Sequence, residues 1–252
     1  MASHLGLQLT LPDGIDTDAL GTFSGEVMRE LSMLETVRKK ARLGMRATGL
    51  PMGLASEGSF GPDPVLGIIP AACELLHFID DTRGIEITER LASNRTNYTA
   101  LEVKDGASLN NFLEEAEFPS HGLLVKCGDE VLCKGITSRP QLDAAIAQAQ
   151  ARGACRVETD MRAHFNPTRM AEIAQLAERL AARLATPCPA CRAPGFGPHA
   201  QTPGLECRDC GAPTALVRQV THRCGACHHL EHRPRPDGQI YAQPQYCPEC
   251  NP

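Results

Sequence analysis

Apolar residues alternate with other residues at Leu5, Leu7, Leu9 and Leu11, the two-residue period of a short strand. A helical period follows. Ser32 and Glu35 form a capping-box pattern, and Leu34, Val37 and Ala41 continue at helical spacing, which predicts a helix from Met33 to Met45. After the turn Thr48-Gly49-Leu50-Pro51, the run Met52 to Ala55 predicts a short buried strand, and Gly58 and Gly61 open a loop. Cys73–Asp80 and Ile85–Ala92 read as a hairpin joined by a turn through Asp81 and Gly84. Ser108 is expected to cap a short helix through Leu113. Gly122–Cys127 and Val131–Ile136 form a second hairpin over Gly128-Asp129-Glu130. Ser138 and Gln141 repeat the capping-box pattern and start a helix through Ala151, with Leu142, Ile146 and Ala149 on one face. Cys155 begins a strand. Asn166 and Pro167 start an amphipathic helix to about Ala185, carried by Ile173, Leu176, Leu180 and Leu184.

Alternating helices and strands predict an α/β domain over residues 1–185, a mixed sheet with flanking helices. Parallel central strands are expected. After residue 185 the periodicity stops and the chain becomes rich in Pro, Gly and Cys. Eight of the 12 cysteines form four Cys-x-x-Cys pairs: Cys188/Cys191, Cys207/Cys210, Cys224/Cys227 and Cys247/Cys250. Zinc is held by tetrahedral thiolate cages, and two such pairs on facing hairpin ends supply four sulfurs. Residues 186–252 therefore read as a tandem zinc-ribbon domain, with four cysteines per site and two structural zinc ions. Pairing the cysteines in sequence order suits the spacing better, while a crossed arrangement, first pair with third and second with fourth, stays open. No position in either set is missing, so both sites read as closed. His222, His228, His229 and His232 are expected on the surface.

Charge and composition restrict the partners. The 252 residues carry a net charge of -5, with 42% hydrophobic residues, 4% aromatic residues and no Trp. Residues 1–185 hold 19 Lys and Arg against 25 Asp and Glu, and residues 186–252 hold 6 Arg, no Lys and 5 acids. Each zinc with four thiolates adds two negative charges, so the ribbons become net negative and nonspecific nucleic-acid binding is disfavoured. No run approaches the roughly 18 apolar residues of a membrane span, so no membrane partner is expected. The start, MASHLGLQLTLPDG, lacks a basic region followed by an apolar run, and a cytoplasmic protein is expected.

Candidate chemistry concentrates in Val157–Met170, written VETDMRAHFNPTRM. Glu158, Asp160, Arg162, His164 and Arg169 crowd one strand-to-helix turn, where ligands of α/β folds commonly sit. Arg169 lies in the first helical turn, where the helix dipole disfavours a cation, which implies a ligand or a pairing with Asp160. Ser56 and Glu57 end the short strand before Gly58, and Glu57 is expected to join Glu158, Asp160 and Arg169 in one pocket. Asp16, Asp18 and Glu26 form an acidic loop in which a cation is the less expected occupant. Arg95, Asn97 and Tyr98 stand as ligand contacts or as turn residues. A solvated surface with ion pairs explains the same charges without a ligand.

The segments GIDTDALGTFSGEV, GLASEGSFGP, ETDMRAHFNPTRM and the ending CPECNP together resemble an uncharacterised bacterial family known only as a domain of unknown function. The resemblance covers nearly the whole chain and carries no established activity. Members of that family begin with a strand and a His-Gly-Lys-Glu turn, and a chain that starts at MASHLGL, just after where these would lie, is expected to lack that first strand and a basic phosphate-side residue. ETVRKKARLGMRATGLPMGLASEG is similar in order to a segment of the nucleoside-triphosphate pyrophosphatases, as is the hairpin at Asp80, Asp81 and Gly84. That similarity implies Mg²⁺ held by Glu35 and Glu57 on a triphosphate, with Lys40 near phosphate. Ser56-Glu57 stands where that family has paired acids.

Two functions compete. In one, the α/β domain binds a small phosphorylated or nucleotide-like ligand, as a metal-dependent phosphohydrolase with Glu57, Glu158, Asp160, Arg162 and Arg169 as catalytic candidates and Ser56, Glu35 and Lys40 on the cofactor. In the other, the chain is a noncatalytic adaptor whose zinc ribbons bind a protein partner.

Overall fold

A computed structural model describes residues 5–62 and 70–252. Two compact units are formed. One comprises Gln8–Ile79 with Thr88–Leu180, and the other comprises Asp80–Ile87, Ala181–Pro252 and residues 5–7.

The first unit is α/β with two sheets. Helix α1 (Met33–Thr48) begins at the predicted capping box: the Ser32 hydroxyl accepts from the Glu35 N–H, and the Glu35 carboxylate accepts from the Ser32 N–H. It runs past Met45 until Gly49 takes the left-handed conformation (φ 68°) that ends helices. Its Ala41 and Met45 pack with Ile79 and Ala55. Strand β1 (Met52–Pro62) can lie this close only because Gly53 has no Cβ; one would stand 2.6 Å from Met45 Cγ. β1 does not stop at Ala55. Ser56, Glu57, Gly58 and Gly61 are strand residues rather than a loop, and β1 joins β2 (Pro70–Asp80) and β3 (Ile85–Ser93) in the order β1-β2-β3. The predicted β2–β3 hairpin is present.

The second sheet has the order β4-β7-β5-β6, from β4 (Ala100–Glu102), β5 (Leu123–Cys127), β6 (Glu130–Ile136) and β7 (Cys155–Thr159). All three of its pairings are antiparallel, with Leu101 and Val125 both opposite Val157. Helices α2 (Gly106–Glu115) and α3 (Arg139–Arg152) contribute Leu109, Phe112, Leu113, Leu142 and Ile146 to one core with Leu123, Val125, Ile136 and Val157. The expected parallel central strands are absent here. Glu57 and Glu158 stand in different sheets, so no shared parallel edge brings them together.

Other expectations also change. No strand forms over residues 7–12: Leu9 and Leu11 remain exposed, so alternation there has no buried face to serve. The cap of α2 is Asp105, which accepts from the Ser108 N–H, because a carboxylate three residues upstream reaches the first free amides. Ser138 donates to the Gln141 side chain and makes no backbone cap bond.

Helix α4 (Pro167–Leu184) follows its predicted bounds to within a residue. The second unit holds a three-stranded antiparallel meander: β8 (Gly197–Pro203), β9 (Val217–Arg223) and β10 (Leu230–Pro234). The hairpin tip between β2 and β3 belongs to this unit. Its buried Ile85 and Ile87 face Gly225, inside the Cys224/Cys227 pair, and Gly195, just after the Cys188/Cys191 pair, where a Cβ on Gly195 would collide with Ile87 Cδ1.

Candidate functional site

The cysteines gather in two groups: Cys188, Cys191, Cys224 and Cys227, and Cys207, Cys210, Cys247 and Cys250. Within each group the sulfur atoms all lie within 4.8 Å of one another. Cys188–Cys227 and Cys191–Cys224 are 3.8 and 3.7 Å apart, and Cys207–Cys250 and Cys210–Cys247 are 3.9 and 3.5 Å apart. A tetrahedral zinc with Zn–S of about 2.3 Å needs sulfurs about 3.8 Å apart. Both cages could therefore hold zinc.

The pairing is crossed, not sequential. The meander imposes this. Gly197 opposite Arg223 brings the start of β8, after the first Cys pair, to the end of β9, before the third. Pro203 opposite Val217 puts the second pair at the other end of the sheet. β10 returns to that same end, since Pro234 lies opposite Gln219, and the chain then reaches the fourth pair. Three antiparallel strands thus alternate the knuckles between two ends.

Each knuckle turns tightly. The residue after its second cysteine has positive φ in three of the four: Arg192 at 65°, Gly211 at 74° and His228 at 61°. His228 is thereby a turn residue, and its ring meets the Arg223 guanidinium at 2.8 Å rather than joining a cage. Backbone N–H groups aim at the first sulfurs. Those of Cys210 and Asp209 hold the Cys207 thiol down at about 7. Burial would raise Cys224, but the N–H groups of Cys227 and Ala226 bring it to about 7 as well. The Cys210 thiol, with burial and the other two sulfurs, pushes Cys250 up to about 12. The N–H of His229 lowers Cys227, yet Cys191, burial and the remaining sulfurs carry it to about 12. Adjacent thiolates repel, and a divalent cation among them removes that penalty.

In the first unit a second constellation is built from buried charges. Glu57, in β1, accepts from Arg29 Nη1 at 2.9 Å and from Lys40 Nζ, on α1, at 2.6 Å. Arg29 also donates to the Gly58 carbonyl at 3.2 Å. The β1 backbone passes so close to the next pair that a Cβ on Gly58 would lie 2.6 Å from Glu74 Oε1 and 2.9 Å from Arg169 Nη2. Arg169 donates to Glu74 through Nε at 2.6 Å and to the Met161 carbonyl through Nη1 at 2.6 Å. The Phe23 and Phe60 ring centroids lie 4.4 and 5.2 Å from its guanidinium. Burial raises the Glu74 carboxyl, Arg169 opposes this, and the charges of Glu57 and Glu172 push it further up.

Of the sequence candidates, Glu57 and Lys40 are in direct contact, and Arg169 lies beside them through Gly58. Glu158 is held by Arg156 Nε at 2.7 Å and Lys126 Nζ at 2.9 Å on the second sheet. Asp160 accepts from the Gly135 N–H at 3.0 Å and from Arg162 Nη2 at 2.6 Å, so Arg162, not Arg169, is its cation. Asn166 caps α4 by accepting from the Arg169 N–H, and its amide reaches Asn97. Ser56 is the half-buried strand neighbour of Glu57, His164 is exposed, and Glu35 serves the α1 cap. Glu26 pairs with Lys134, and the Asp18 side chain lies outside the described residues. Among the described residues, the cysteine groups alone bring three or more ligand atoms close enough to share an ion. Sequence reasoning passed over Arg29, Glu74, Phe23 and Phe60. An acid at the centre of the apolar run AACELLHFI was the one available signal.

A family model described as a domain of unknown function, DUF6671, matches residues 40–252. No curated protein and no solved structure matches the chain. None of the described helices is long and apolar enough to cross a membrane.

Proposed function

The chain belongs to the DUF6671 family, and from that premise we propose that it is a zinc protein whose first unit binds a small phosphorylated ligand. The zinc ions are structural, since each cage presents four thiolates and leaves no coordination position for substrate. The observation that supports ligand binding is the excess of cations around Glu57. Arg29 and Lys40 both donate to Glu57, while Arg169 is committed to Glu74. Arg29 and Lys40 therefore hold one carboxylate between two positive charges. A phosphate beside Glu57 would complete the balance, with the arginine fork and the lysine ammonium as donors. Nothing in this reading requires magnesium or a hydrolytic step. The test is calorimetric titration with inorganic phosphate, pyrophosphate and a nucleoside triphosphate. Lys40→Gln is expected to weaken binding at least tenfold and to reduce its salt dependence. Equal affinity of the native protein and the variant would sink the site, and no binding of any phosphate would return the adaptor reading.

A further inference from the structure

The loop from Gly21 to Arg29 is closed on itself. Its ends touch: a Cβ on Gly21, at φ 126°, would lie 2.9 Å from Arg29 Cβ. Inside it, the Thr22 N–H donates to the Val27 carbonyl at 2.9 Å, and the Val27 N–H returns to Thr22 Oγ1 at 2.9 Å. The Gly25 N–H bonds the Thr22 carbonyl at 3.3 Å, and Ser24 Oγ donates to Glu26 at 2.7 Å. Compact surface loops with a pinched neck hold their own shape and can move as units.

Outside this neck the loop is tied weakly. Arg29, at the neck itself, is fixed to Glu57 and the Gly58 carbonyl. Among the described residues, two side chains of the body reach outside the loop, Phe23 and Glu26, with the Arg162 charge also acting on Glu26. The Phe23 ring lies 5.5 Å from the Phe60 ring and covers the Arg169 guanidinium. Glu26 meets Lys134 at 2.8 Å, both side chains 36% exposed, a geometry that salt screens readily. Val27 and Met28 remain exposed, so neither side chain adds an apolar anchor among the described residues.

We propose that Gly21–Arg29 is a lid, hinged at the Gly21–Arg29 neck and latched by Phe23 on Arg169 and by Glu26 on Lys134. Opening uncovers the Arg169 guanidinium and the Phe60 ring while Arg29 keeps its hold on Glu57. The latch partners Phe60, Lys134 and Arg169 lie on β1, β6 and α4, away from the loop in sequence. The lid thus governs access to a charged centre built from β1, β2 and α4. It stands on the loop's own contacts, whether or not the ligand is a phosphate.

Hydrogen exchange on the full zinc-loaded chain tests this. Amides of residues 22–28 are expected to exchange at least tenfold faster in Glu26→Lys than in the native protein, with α1 unchanged. The exchanged pair Glu26→Lys with Lys134→Glu should restore the native rate to within about threefold. Because the chain lacks Trp, Phe23→Trp supplies a single fluorophore at the second latch. Its iodide quenching should rise when Lys134→Gln is added, and fall back towards the parent variant in the exchanged-charge background. Exchange of residues 22–28 that tracks α1 in every variant, with unchanged quenching, would show that the loop opens only with the whole unit and would overturn the lid.

Discussion

A guanidinium taken out of water must satisfy five N–H donors and one charge, and Arg169 shows how much structure that requires. A carboxylate from β2, a carbonyl from the loop after β7 and two aromatic rings all converge on it. Arg169→Ala leaves the Glu74 carboxyl buried without its cation, which pushes it further up, and Glu74→Gln leaves the Arg169 charge buried without its carboxylate. Each is expected to cost about 3–5 kcal/mol by denaturant unfolding, since removing one member of a buried pair strands the other charge. The double variant Glu74→Leu with Arg169→Met should recover most of that loss. Equal losses in single and double variants would mean that the rings, not the charges, hold the site. Burial raises the Glu74 carboxyl above its ordinary value in the fold. A folded state that holds its proton more tightly loses stability as pH rises through the unfolded and then the folded value, so this group's own contribution falls with rising pH. Glu74 was hard to read from sequence because one acid in an apolar run does not reveal its partner 95 positions away. Glu57 and Lys40, an acid and a helical lysine singled out from sequence, meet as an ion pair.

Among elements, local signals were recovered well and long-range ones poorly. The Ser32–Glu35 box, both hairpins and the Asn166-Pro167 helix start depend on contacts within a few residues, which spacing encodes. Ser32→Ala is expected to cost about 1 kcal/mol, read as a shift in the unfolding midpoint without a change in m. A variant within 0.2 kcal/mol of the native protein (roughly the noise of such measurements) would show that Glu35 alone sustains the cap. The length of β1 was not legible. Gly58 and Gly61 look like loop residues, yet Gly58 is in the strand because Glu74 and Arg169 occupy the space beside its Cα. Strand direction was missed for a similar reason: alternating helices and strands suit parallel crossovers, whereas β6, α3 and β7 return antiparallel beside β5.

At the scale of the whole molecule, the cysteine tail shows how topology overrides spacing. The eight cysteines and their grouping by fours were legible in the sequence, but their partition depends on which end of the meander each knuckle reaches. In the crossed arrangement, β8 leads from the first cage to the second, β9 leads back, and β10 carries the chain towards the second again. Native protein prepared without chelator should carry two zinc ions per chain by metal analysis. Paired Cys→Ser substitutions then separate the two topologies. Cys188→Ser with Cys224→Ser removes two ligands of one cage and should leave one zinc per chain. Cys188→Ser with Cys207→Ser removes one ligand from each cage and should leave less than one, together with a loss of folded β9 signals, because a cage of three thiolates gives up much of the metal-derived folding energy. Sequential cages would invert these results: the first combination would damage both sites, and the second would spare the site built from Cys224, Cys227, Cys247 and Cys250.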